Sequence, residues 1–140
     1  MAQTMWDDVK EGQEISLTEE TPSQRLVIWA AASGDFYQIH YDDNYAKGNN
    51  LPDIIVHGAL KGMLVGRLLD EFAGDKGWVE MWDVSYRGMD KAREDITIWG
   101  KVTKKYQEGG KNLVDLDVGV KRADGSETTP GRATVSLPKK

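Results

Sequence analysis

Cysteine is absent from this chain, and with it go disulfides, thiolate nucleophiles and sulfur-held zinc. Any chemistry therefore rests on carboxylates, imidazoles and hydroxyls. Proline is sparse, with four in the chain, and no Pro/Gly/Ser-rich stretch is long enough to act as a linker. Residues 1–140 read as a single domain of a size that buries one core. No apolar run approaches the roughly 20 residues that span a bilayer. The opening MAQTMWDDVKEG lacks the basic patch and apolar stretch of a secretory signal, so the expectation is a cytoplasmic protein. Lys and Arg total 18 against 23 Asp and Glu, a net charge of -5, which argues against nucleic acid as a main partner because such partners demand a concentrated basic face. Histidine is scarcer still: there are two, and both fall in one short region.

The remaining residues are organised without repeats or low-complexity tracts. A short strand is expected around Gln13 to Glu20. TPSQRLVIWAAASGD then reads as a helix with Thr21 as N-cap, Pro22 at the first helical position and Gly34 as terminator. The segment from Phe36 to Pro52 carries few regular signals beyond a helical turn near Asp43 to Ala46. In HGALKGMLVGRLLDEF, Leu60, Leu64, Leu68 and Phe72 recur every four residues, and Met63 and Leu69 widen the stripe, as in a core helix. Glycines at 58, 62 and 66 lower its intrinsic helicity by roughly 1 kcal/mol each against alanine, so a neighbouring element is expected to pack very close. After Gly77 the pattern alternates through WVEMWDVSYRG, DITIWGKVTKKYQ, NLVDLDVGVKR and GRATVSLP, with turn signals in QEGGKN and ADGS. This predicts four consecutive strands in an antiparallel meander and an α+β fold with one long helix laid on a curved antiparallel sheet.

The two histidines lie in SGDFYQIHYD and DIIVHGAL. His57 alone reads as a helix-start residue whose ring bonds a backbone carbonyl. Asp35, His40, Asp42 and His57 are ligands of suitable kind for a metal, but no pair has the i, i+4 spacing of a zinc helix, and no metal is expected. Ser33 is not in a nucleophile-elbow context. Asp35 and His40, on one short irregular loop, can hold a water between a carboxylate and an imidazole, a pair able to take a proton from one atom and return one to another.

SGDFYQIHYDDNYA followed by IIVHGAL resembles the signature of the MaoC-like dehydratases, the R-specific enoyl-CoA hydratases, usually met as S-G-D-x-N-P-x-H-x-D and then V-H-G. The closing GRATVSLP is similar to the last strand of that family, and with the order of elements the resemblance spans nearly the whole chain. It implies a hot-dog fold, Asp35 and His40 as the catalytic acid/base pair, and a Gly58 backbone N–H that receives the thioester oxygen, with Tyr37, Ile55, Val56 and His57 around the substrate. Departures are Tyr37-Gln38 in place of Asn-Pro, Gly66 where some relatives carry a serine that orients the aspartate, and a SYRGMDKARED stretch without the usual Pro and Gly-Asp. Arg87, Lys91 and Arg93 in that stretch are candidates for contact with the phosphates of coenzyme A.

The expectation is a hydro-lyase that adds water to, or removes it from, a 2-enoyl/3-hydroxyacyl thioester carried on coenzyme A or acyl-carrier protein, without a cofactor. Two rivals are a hot-dog thioesterase, which sends water to the carbonyl carbon, and a non-catalytic acyl-thioester-binding subunit of a two-chain dehydratase. The resemblance also implies at least a dimer, of this chain or with a related subunit.

Overall fold

The computed structural model describes residues 2–140. Strand β1 (Glu14–Glu19) leads into helix α1 (Ser23–Ser33). Pro22 is the N-cap of α1, with φ -64 and ψ 152, so the helix begins one residue later than the sequence reading places it. Thr21 does not cap the helix. Its buried hydroxyl donates instead to the carbonyl of Glu94 at 2.7 Å, tying the helix start to a loop 73 residues away. Gly34 closes α1 in the left-handed region at φ 79, its N–H bonded to the Ala30 carbonyl, a backbone state that glycine adopts without steric cost. Leu26 and Ala30 of α1 are fully buried, as their spacing implies.

A 3₁₀ turn at Gln38–His40 and the short helix α2 (Asp43–Gly48) follow. The Asp42 carboxylate accepts from the Tyr45 N–H at 3.0 Å, so this residue is spent on capping α2. The long helix α3 runs from Gly58 to Ala73. Leu60, Leu64, Leu68, Leu69 and Phe72 are buried along it, each contributing about 1.5–3 kcal/mol by leaving water. Met63 is the exception: it is 45% exposed, on a side that the sheet does not cover.

Strands β2 (Trp78–Val84), β3 (Ile96–Glu108), β4 (Lys111–Arg122) and β5 (Glu127–Ser136) complete a five-stranded antiparallel sheet in the order β1-β3-β4-β5-β2. Only β3, β4 and β5 form a meander, turned at Gly109 and Gly110 (φ 59 and 77) and at Gly125 (φ 85). β2 pairs with β5 and not with its successor β3, because residues 85–95 carry the chain across the start of α3 to the opposite side of the sheet. Alternation along a strand reports which face is buried and carries no information on which strand lies beside it. α3 touches all five strands, so the sheet curls around the helix in the hot-dog arrangement.

The glycine face of α3 is what allows that closeness. A Cβ at Gly58 would lie 3.2–3.3 Å from three atoms of the Tyr86 ring, one at Gly62 would lie 2.6 Å from the Tyr86 hydroxyl, and one at Gly66 would lie 3.1 Å from the Trp82 indole. The Trp82 indole N–H also donates to the Gly62 carbonyl at 3.2 Å. The two ends of the chain meet as well: the Trp6 N–H bonds the Pro138 carbonyl at 2.9 Å, and Lys140 bonds Asp7 and Asp8.

Gly131 in β5 supports a sharp stability prediction. A Cβ there would overlap the Asp83 carbonyl oxygen of β2 and approach Val84, and backbone cannot step aside as a side-chain tip can. Gly131→Ala is expected to destabilise the fold by about 1–3 kcal/mol or more, read as a lowered midpoint in chemical denaturation. Gly48→Ala, where nothing lies within 4 Å, should stay within about 1 kcal/mol of the parent.

Candidate active site

Asp35 stands directly after the left-handed Gly34 and is held by local bonds. Its N–H donates to the Ser33 hydroxyl at 3.2 Å and its Oδ1 accepts from the Tyr37 N–H at 3.4 Å. The 3₁₀ turn that follows swings His40 inward until it is buried. Nδ1 of His40 lies 2.7 Å from the Ile55 carbonyl. A carbonyl only accepts, so Nδ1 carries the proton and the neutral ring keeps its lone pair on Nε2. That lone pair faces Asp35, with Nε2 3.8 Å from Oδ2. The gap is too long for a direct hydrogen bond, yet one water at about 2.8 Å from each atom reaches both.

His57 sits beneath this pair. It is fully buried, it is the N-cap residue of α3, and its Nε2 donates to the Asp35 backbone carbonyl at 3.2 Å. Its ring stacks on that of His40, with centroids 3.8 Å apart and planes 20° from parallel. Burial foremost, and then the neighbouring His40, lowers the pKa of His57 below its usual 6.5, so the ring is neutral in the folded chain. The carbonyl bond to Asp35 is the helix-start role that the sequence implies, and the space beside Gly66 is taken by the Trp82 indole. Donor atoms of Asp35, His40 and His57 lie within 4.8 Å of one another. The stacked rings, however, direct their lone pairs along separate, nearly parallel planes, and Asp42 is engaged at α2, so this set suits proton transfer better than metal binding.

Gly58 opens α3, and among the described residues no backbone or side-chain group accepts from its N–H. The first N–H groups of a helix have no partner within it, and the helix dipole favours negative charge there. An open cleft of about 250 Å³ brings this N–H, His40, Val56, Tyr86 and Met89 together. Ile55 contributes its carbonyl to His40, and its own N–H is held by the Ile39 carbonyl at 3.0 Å. Tyr37, the residue that departs from the family motif, makes edge contacts with His40 and Tyr45 at 6.2 and 6.0 Å between centroids, forming an aromatic wall beside the pair.

The candidate phosphate contacts separate. Lys91 is paired with Glu94 at 2.9 Å, and Arg93 is paired with Asp53 at 2.6 Å and Asp43 at 3.2 Å. Arg87 has no carboxylate at ion-pair distance among the described residues and lines the cleft. Residues not singled out from sequence are Tyr86 and Trp82, which cover the glycine face, and Lys61 and Asp90, a buried ion pair. A lysine at 61, inside an otherwise apolar stripe and one turn after Gly58, was the available signal for the last.

Because His57 is neutral when buried and titrates near 6.5 when unfolded, the unfolded chain binds more protons in the interval below 6.5. Stability therefore rises with pH through that interval. The contribution is complete above about 6.5 and is lost as pH falls toward the lowered folded value. Denaturation midpoints measured between about pH 7.5 and 5 should fall on the acid side, and less steeply in His57→Asn than in the parent. Equal slopes would remove His57 as the cause.

Comparison with known proteins fits this geometry. No curated protein sequence matches the chain. Among solved structures it is similar to the (R)-hydratase from A. caviae involved in PHA biosynthesis (24% identity, TM-score 0.84, covering 94% of this chain and 98% of that one). It is also similar to the unliganded R-hydratase PhaJ1 from Pseudomonas aeruginosa (23% identity, TM-score 0.82, covering 97% and 86%). A third similarity is to the ChsH1-ChsH2 complex from Mycobacterium tuberculosis (22% identity, TM-score 0.79, covering 92% and 98%). At these identities the likeness establishes the hot-dog fold. The model of the MaoC-like domain matches residues 2–123, and the chain belongs to the MaoC-like dehydratase family.

Proposed function

We propose that this protein is a hydratase/dehydratase that adds water across the double bond of a 2-enoyl thioester, or removes it from the 3-hydroxyacyl product. The observation that carries the reading is the His40 Nε2 lone pair, fixed by the Ile55 carbonyl and set 3.8 Å from the Asp35 carboxylate, beside an unengaged helix-start N–H. In the hydration direction, His40 takes a proton from the water as its oxygen attacks C3 of the enoyl group. Electron density moves to the thioester oxygen, where the Gly58 N–H and the α3 dipole stabilise the enolate. The proton passes within the Asp35–His40 pair and is returned to C2. A backbone donor of this kind contributes on the order of 3–4 kcal/mol to such a transition state. His57, neutral beneath the pair, adds no competing positive charge. Tyr37 narrows the approach to His40, and Arg87 is the cleft residue suited to a phosphate of the carrier.

Assembly with a second hot-dog subunit belongs to the same proposal. β2 lies at one edge of the sheet, and Trp78 on it is 70% exposed, with Met81, Trp82, Tyr86 and Met89 also exposed along the strand and the loop beyond. An unpaired edge with that much apolar surface is a docking surface or a liability. The similarity to a two-chain complex fits a partner that is either this chain or a related one.

Two measurements test the proposal. Asp35→Asn and His40→Gln should each reduce turnover of a 2-enoyl-CoA substrate, followed by loss of its conjugated absorbance, by roughly 10²–10⁴-fold. The double variant should be little worse than the worse single one, because both groups serve one step. Near-normal hydration by His40→Gln, or release of free coenzyme A in place of hydration, would refute the mechanism. Sedimentation should show a species heavier than the 15.6 kDa monomer, and a monomer at micromolar concentration would argue against the shared edge.

A further inference from the structure

Lys61 and Asp90 are charged, buried and unused by the chemistry above. Each is almost wholly enclosed, at 2% and 1% exposure. Lys61 Nζ donates to Asp90 Oδ2 at 2.7 Å and to the Gly88 carbonyl at 3.0 Å, and the Thr128 hydroxyl donates to the same Oδ2 at 2.8 Å. Removing an ammonium and a carboxylate from water costs several kcal/mol for each ion, and apolar residues of like volume often give an equally stable fold. Net stability is thus a poor reason for the pair, and its connections supply a better one.

Those connections lead to the site in two short steps. The Asp90 backbone carbonyl accepts from the Val56 N–H at 2.8 Å, the Ala92 N–H donates to the Ile54 carbonyl at 2.9 Å, and Ile55 and Lys91 form an antiparallel bridge. The chain at 90–92 is therefore a splint along 54–56, and Ile55 in that segment carries the carbonyl that fixes the tautomer of His40. Lys61 stands on the first turn of α3, three residues after Gly58, so its bonds to Asp90 and Gly88 clamp the splint to the helix end that lines the cleft. Main-chain bonds from Ser85, Arg87 and Gly88 tie the irregular 85–95 crossing to β5, and one from Arg93 ties it to Thr21; the bonds of Lys61 tie it to α3.

We propose that Lys61 and Asp90, with Thr128, are positioning residues: a buried ionic clamp that holds the 54–58 and 88–92 segments in register, so that His40 keeps its Nε2 lone pair toward Asp35 and Gly58 keeps its N–H toward the cleft. The inference rests on the hydratase reading for its kinetic part only. Lys61 borders the cleft that His40 and Gly58 line, but its Nζ is spent on Asp90 and the Gly88 carbonyl, and Asp90 does not line the cleft. Misplacement of a catalytic group by about 1 Å costs on the order of 10²-fold in rate, and that is the scale expected here.

The test uses the double variant Lys61→Met with Asp90→Leu, which removes both charges together and avoids a lone buried ion, alongside Thr128→Val, which keeps the ion pair and removes the hydroxyl that bonds Asp90. The readouts are kcat and KM on a 2-enoyl-CoA and the ¹⁵N shifts of the His40 ring in uniformly labelled protein. The double variant is expected to fold, to lose on the order of 10²-fold in kcat with a smaller change in KM, and to show His40 as a mixture of neutral tautomers where the parent shows Nδ1–H alone. Thr128→Val should shift in the same direction by less. A folded double variant with parental kcat and a single His40 tautomer overturns the proposal. If the double variant does not fold, the tautomer in Thr128→Val decides: a mixture supports the clamp, and a single form overturns it. If the parent hydrates no 2-enoyl thioester, the hydratase reading fails, and the tautomer comparison still decides the clamp.

Discussion

An apolar helix that touches every strand of one sheet leaves the chain few ways to arrange anything else. α3 buries six leucine, valine and phenylalanine side chains, and a flat sheet cannot reach around it. The sheet has to curl, and its edge strand β2 has to come down onto the helix at close range. Three glycines a turn apart make room for that approach, and two aromatic rings from β2 and the loop after it fill the room. The glycines lower the helix's intrinsic propensity, while the rings and the indole bond to the Gly62 carbonyl offset the loss in the assembled fold. The start of α3 is consequently a fixed point, and the chemistry is collected there.

Three segments meet at that point, each contributing something the others lack. The loop after α1 brings a carboxylate on a partly exposed turn. The 54–57 segment brings a carbonyl that decides which nitrogen of His40 carries hydrogen, and a second imidazole that stays neutral because it is buried. The helix brings an N–H with no internal partner. The site is thus built from backbone groups as much as side chains: of the four bonds that set the geometry of Asp35 and His40, two end on main-chain carbonyls and two begin at main-chain N–H groups. Such groups cannot be altered by ordinary substitution, whereas the Tyr37, Tyr86 and Arg87 side chains beside them can.

The legible parts of this molecule were those in which cause and effect lie close in sequence. Asp35 and His40 are five residues apart on one loop, and their approach needed no long-range information. The glycine spacing announced a tight neighbour, and the turns at 109–110 and 125 announced themselves. What escaped was non-local. The identity of the tight neighbour, Tyr86 and Trp82, depends on β2 crossing to pair with β5, and the alternation of β2 is compatible with either neighbour. Lys61 and Asp90 are separated by 29 residues and each looks like an ordinary surface charge until the fold encloses both. Thr21 looked like a helix cap because the local rule is satisfied, and the structure spends its hydroxyl on Glu94 instead. Met63 fell in the apolar stripe, but a stripe has an edge, and the edge is drawn by what covers the helix.

The joined chain ends have a consequence for how the fold can be cut and rewired. With Trp6 bonded to Pro138 and Lys140 bonded to Asp7 and Asp8, a short flexible bridge spans the two ends without disturbing a strand. The chain can then be reopened elsewhere, most simply at the β3–β4 turn, where Gly109 and Gly110 are in open space. That turn follows the end of β3 opposite the one that the 85–95 crossing enters, and cutting there leaves the loop of Asp35 and His40 uninterrupted. A circularly permuted form would keep the 33–61 region continuous while moving the termini to the far end of the longest hairpin, and would separate the order of the chain from the order in which its strands are joined.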